Sequence, residues 1–191
     1  MKGTILLIRD IIVNPQRALV VIREERPYFL VFIIFLVNII SSVTAQCMLA
    51  SYGFTPDMLF VVFLSNFMLG ITYFFILAGI FHLFAELLNG RGSSTALFCL
   101  FLVAHMPWVF LTSAAIIFGG ITLANNFIFY LVKLLIFIWV VFLMVKAVQI
   151  NYNFSLAKTF LLFGIFIFLV MFLIIFFFAA SISMVMMALF H

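Results

Sequence analysis

Charge is scarce in this chain. Asp, Glu, Lys and Arg together make up 7% of its 191 residues, against about 25% in an ordinary soluble domain. That shortage excludes a soluble globular protein and removes much of the material from which active sites are built. Only five residues are acidic, no aspartate pair falls in an apolar block, and neither Gly-x-Ser-x-Gly nor His-Glu-x-x-His occurs. An intramembrane hydrolase needs an activated nucleophile or a metal-bound water, so the expectation is a protein that is not an enzyme and carries no cofactor. Cysteine is as sparse, with two residues. Cys47 and Cys99 fall toward opposite membrane surfaces, about 25 Å apart on helical rise, beyond the ~7 Å that a disulfide spans. No basic stripe interleaved with aromatics stands outside the apolar blocks, which excludes a nucleic-acid partner. No low-complexity linker or internal repeat divides the apolar region.

What is present is apolar side chain. Hydrophobic residues reach 69%, 29 residues are Phe, and the mean hydropathy is +1.48. A helix crossing ~30 Å of hydrocarbon needs about 20 such residues. Five blocks qualify: Pro27 to Gln46, Met58 to Glu86, Ser94 to Gly119, Phe127 to Ile150 and Lys158 to Met187. The fold class is therefore all-α, a polytopic five-helix transmembrane bundle over residues 27–191. The second and fifth spans exceed the bilayer and should tilt or run past it. Lys2, Arg9, Arg17, Arg23 and Arg26 precede the first span, Arg91 lies between the second and third, and Lys146 and Lys158 flank the fourth connection. The other connections have no cation, so the positive-inside rule puts the N-terminus in the cytoplasm and the C-terminus, near His191, outside.

Residues 1–26 read as a cytoplasmic segment of two amphipathic helices on the membrane surface. Ile5, Leu6, Ile8, Ile12 and Val13 give the first an apolar face, and Asn14-Pro15 supplies an N-cap with proline at the first position of the second. The second helix alternates Ala18, Leu19, Val21 and Ile22 with charged residues, as an interfacial helix does. Membrane lipids are the expected partners, together with a second copy or other membrane proteins.

Polar residues inside the spans are the candidate sites. Counting along the helices places Asn38, Asn66 and His105 near the midplane. They are expected either to bond across helices or to line a permeation path, with Pro107 beside His105 supplying a bend. Lys133, about six residues below the outer end of the fourth span, either snorkels outward or pairs with Asp57, and facing the bundle it would add to the midplane group. A second group lies near the inner surface: His82 and Glu86 share one face of the second span, with Lys146 and Arg91 nearby, and Glu86 is expected to pair with one of those cations. His82 and Glu86 could begin a metal site, but zinc normally takes at least three protein ligands and His105 is too distant, so no metal site is assigned. Tyr28, Tyr130 and Tyr152 read as interface anchors.

The stretch from Phe81 to Thr95 is the most distinctive. Asn89-Gly90 suits a left-handed helix end, Gly92 a turn, and Ser93 or Ser94 a cap for the next helix. With His82, Asn89-Gly90-Arg91-Gly92-Ser93, Pro107 and the Asn14-Pro15 entry helix in this order, the chain resembles the Yip1 family over about residues 8–175. The resemblance implies a five-span domain and a membrane-organising or adaptor role. Asn89 stands where the family has its first glycine. Eukaryotic members have a longer cytosolic region before the spans and are linked to Rab-type GTPases. Only about 26 residues stand there in this chain, and its small size and minimal loops point to a prokaryotic member, so a Rab partner is not carried over.

Overall fold

The computed structural model describes residues 2–49, 55–118 and 123–189, and every regular element among them is helical. The expected span end at Gly119, the C-terminal His191, and parts of two connections, 50–54 and 119–122, lie outside the described residues. Five helices are long and apolar enough to cross a membrane, over Tyr28–Met48, Pro56–Leu87, Ser94–Phe118, Phe127–Tyr152 and Leu156–Ile182.

Helix α1 spans Lys2–Val13 and α2 spans Pro15–Glu25. The Asn14 side chain accepts a hydrogen bond from the Arg17 amide at 3.5 Å, and Pro15 opens the helix. Arg26 then turns left-handed, at φ 46°, so the chain changes direction before α3. The buried face of α1 carries Leu7 and Ile11. Ile12 and Val13 are exposed, and the Ile5, Leu6 and Ile8 side chains lie outside the described set.

The apolar face of α2 meets protein. Ala18, Leu19 and Ile22 are buried to 0–2% exposure, packed on the later helices α5, Ser94–Ala104, and α7, Leu123–Tyr152. The reason is physical: an amphipathic pattern demands an apolar neighbour, and protein serves as well as lipid. The Arg23 guanidinium adds a 3.5 Å hydrogen bond to Asn153 Oδ1, beyond the end of α7.

Helices α3, Tyr28–Leu49, and α4, Pro56–Leu87, pass up and back, and α5 begins the third span. From Leu97 to Ala104 all but one residue of α5 is buried, which follows from a helix that is apolar on every side. Pro107 ends it. Lacking an amide hydrogen, proline cannot continue the ladder, and the chain passes through a 3₁₀ turn, Met106–Val109, before resuming as α6, Phe110–Phe118. The last helix, α8, covers Leu156–Leu189.

The interruption divides the core in two. Around α5, at the end where α2 docks, Leu97, Leu100, Phe101, Phe81, Leu143 and Val148 are at most 1% exposed. Around α6, at the opposite end, a small cluster gathers Ala45, Leu111, Ala114, Ala115 and Phe129. Helix α6 is held to α3 by a hydroxyl clasp. Ser41 Oγ lies 2.8 Å from the Val109 carbonyl and 2.6 Å from Thr112 Oγ1, and Thr112 Oγ1 donates to the Ser41 carbonyl at 2.8 Å. Two hydroxyl protons serve three contacts, so the pair acts as a unit. A double-mutant cycle on Ser41→Ala and Thr112→Val should give a coupling of about 1 kcal/mol, as interhelical bonds in bilayers do. Measured by unfolding in mixed micelles, additive effects would show that the clasp carries no joint stability.

Candidate functional site

A cavity of ≈ 450 Å³ lies between the two cores, where the third span breaks. Its polar lining comes from α3 through Asn38, Ser42 and Gln46, from the break through His105, and from α7 through Tyr130 and Lys133. Asn38, Ser42 and Gln46 follow at i, i+4 and i+8, so one face of α3 supplies all three.

Asn38 is 7% exposed, and neither its amide nitrogen nor its amide oxygen has a hydrogen-bond partner among the described residues. His105 Nδ1 lies 3.1 Å from the Phe101 carbonyl oxygen. A carbonyl only accepts, so Nδ1 carries the proton and Nε2 is left as the acceptor of the neutral ring. The imidazole packs edge-on against Phe74, with centroids 4.4 Å apart. Gln46 Nε2 is 3.3 Å from Ser42 Oγ and 3.5 Å from Asn66 Oδ1.

The midplane residues of the sequence reading thus divide. Asn38, His105 and Lys133 share one cavity, while Asn66 joins it only through Gln46, two turns along α3 from Asn38. Asn66 also donates to the Val62 carbonyl at 2.8 Å, one turn back in its own helix. Lys133 makes no ion pair among the described residues, with Asp57 or any other carboxylate. Ser42 and Gln46 escaped attention in the sequence because short polar residues near a span end resemble ordinary boundary residues.

The second group is wired differently from expectation. Glu86 Oε1 meets His82 Nε2 at 3.3 Å within α4, and His82 Nδ1 meets the Tyr152 hydroxyl at 2.7 Å. Among the described residues Glu86 pairs with neither Lys146 nor Arg91: Arg91 is exposed, and the Lys146 ammonium lies 5.7 Å from the Phe142 ring centroid. The i, i+4 geometry wins because it needs no second helix to deliver the partner. Tyr152, expected at the interface, is 3% exposed. No three His, Cys, Asp or Glu residues gather among the described residues in a way that could hold a metal ion.

The loop after α4 packs directly on that tyrosine. Asn89 takes the left-handed conformation at φ 60°, while neither Gly90 nor Gly92 has a positive φ. The two glycines serve close approach instead. A Cβ at Gly92 would stand 2.5 Å from the Tyr152 ring, and one at Gly90 would stand 2.8 Å from the Ala85 carbonyl oxygen. Ser93 caps α5 through the Ala96 amide at 3.4 Å, and the Asn151 amide donates to the Ser93 carbonyl at 3.0 Å.

The Yip1 domain model matches residues 9–187. The chain belongs to the Yip1 family. No curated protein and no solved structure matches it. The Yip1 match takes in α2 and all five spans. In this Yip1 domain the glycine turn is the seat on which α7 ends, and the proline of the third span marks a break whose residues His105 and Trp108 line the cavity.

Proposed function

We propose that this Yip1-family chain is a non-enzymatic membrane-organising or adaptor protein. It acts through lateral contacts with lipids, a second copy or other membrane proteins. It sits in a prokaryotic cytoplasmic membrane with its N-terminus inside, an orientation supported by Arg17, Arg23, Arg26 and Arg91 standing at the same end of the bundle. The reading rests on one observation: no polar residue of the cavity lining lies between Asn38 and the α2 end of the bundle. A conduit needs polar lining on both sides of the midplane, whereas here the half nearer α2 is filled by side chains such as Leu97, Leu100, Phe101 and Leu143. Lateral contact is supported by α4 and α8, whose apolar windows are each only 6% buried, against 50% for the first span.

The competing reading is movement of a lipid, ion or small solute, favoured by the cavity that joins Asn38, His105 and Lys133. Proteoliposomes decide between the two. Leak of entrapped ions and exchange of labelled lipid should match protein-free liposomes, and His105→Leu should leave both unchanged. Protein-dependent flux that disappears in His105→Leu would replace the adaptor reading with transport.

A further inference from the structure

The cavity offers more than shape. Asn38 presents an amide whose donor and acceptor are both unmatched, in a position 93% removed from solvent. Such a group is costly in an apolar bundle unless something occupies the space beside it. Lys133, on the same lining, makes no ion pair among the described residues, and no carboxylate contributes to the wall. Lys133 is exposed on this lining, where its ammonium is free to take an anion, and the Asn38 oxygen calls for a donor. One ligand meets both demands if it carries negative charge and a hydroxyl. Ile39, Phe74, Leu111 and Phe129 supply apolar wall beside these groups, suited to a molecule that continues into hydrocarbon. The volume, ≈ 450 Å³, lies within the ~300–1,000 Å³ usual for small-ligand sites.

We infer that this cavity binds a hydroxyl-bearing phosphate ester, the chemistry shared by the headgroup of phosphatidylglycerol and by free glycerol phosphate. Lys133 holds the phosphate by charge, and Asn38 receives the hydroxyl. Counting along the helices sets Asn38 about 15 Å and Lys133 about 28 Å from the α2 end, so the ligand's hydroxyl end lies near the midplane and its phosphate near the opposite surface. The inference rests on the one-sided polar lining used for the proposed function, and it makes the occupant one of the lateral partners.

The test uses the full chain in detergent stripped of lipid, with melting followed as ligand is added. Short-chain phosphatidylglycerol should raise the melting temperature and short-chain phosphatidylcholine, which has no hydroxyl and no net charge, should not. Lys133→Gln should weaken the phosphatidylglycerol response at least about tenfold, the loss expected for one charge-assisted contact. Asn38→Leu should remain folded and lose the response. If free glycerol phosphate alone gives the same Lys133-dependent shift, the chemistry stands and the source is a soluble ester. Equal shifts from both lipids with Lys133→Gln unaffected, or no shift from any of the three ligands, overturns the site. Liposome flux is read independently, so failure of the binding site and failure of the adaptor reading are told apart.

Discussion

Replacing Gly92 with alanine is expected to cost the fold about 3 kcal/mol, the upper part of the range for forcing an extra carbon into a packed interior. The new Cβ would stand 2.5 Å from both Cδ1 and Cε1 of Tyr152 and 2.8 Å from Asn151 Nδ2. The ring has little freedom to retreat. Its hydroxyl is 2.7 Å from His82 Nδ1, its other neighbour is the stacked ring of Phe154 at 5.5 Å between centroids, and the residue is 3% exposed. Gly90→Ala should be of similar severity, because one of its obstacles, the Ala85 carbonyl at 2.8 Å, is backbone and already accepts the Gly90 amide. Gly79→Ala and Gly164→Ala provide the contrast. Neither new Cβ meets an atom within 4 Å, and both positions lie in long helices, where alanine is favoured over glycine by up to about 1 kcal/mol. Unfolding of the four variants in the same micelles should therefore split them by sign. A Gly92→Ala protein as stable as the parent would mean that the loop does not rest on Tyr152.

Asn38→Leu should move stability the other way, by about 2 kcal/mol in favour of the folded state in lipid-stripped protein. Each unmatched buried polar atom costs roughly 1–3 kcal/mol, and both atoms of this amide are unmatched. Leucine removes the pair while keeping a side chain of similar reach, so no cavity term enters, as it would for alanine. A gain is an uncommon outcome for a substitution in a core, which makes it informative. Unchanged or lowered stability would show that the amide has a partner in the purified protein.

The helices were legible because span length is dictated by hydrocarbon thickness, and the five blocks match the five apolar helices to within a few residues at nearly every end. The side of α2 that meets protein was not legible: Ala18, Leu19 and Ile22 would make the same pattern against lipid. The glycine turn was legible as a turn but not for its cause. Sequence suggests φ freedom, yet Asn89 takes the left-handed position and the glycines yield space to a residue about 60 positions later. Tyr152 misled for the same reason, since its depth is set by that loop. For Glu86, the neighbour four residues back is visible in the sequence, but nothing local records that it prevails over Lys146 and Arg91. Of the cavity, Asn38, His105 and Lys133 could be named individually. That they share a space follows from the break at Pro107, whose consequence for the neighbouring helices no local pattern records.

The docking of α2 sets an order of events during synthesis. Its seat is built from α5 and from the end of α7, and its bond from Arg23 reaches a residue 130 positions later. At translation speeds of about 5–20 residues per second, that seat is complete roughly 7–26 s after α2 itself has been made. Until then Ala18, Leu19 and Ile22 have at most α5, lipid or a chaperone to cover them. The segment made among the first is thus seated among the last, and its docking closes the bundle.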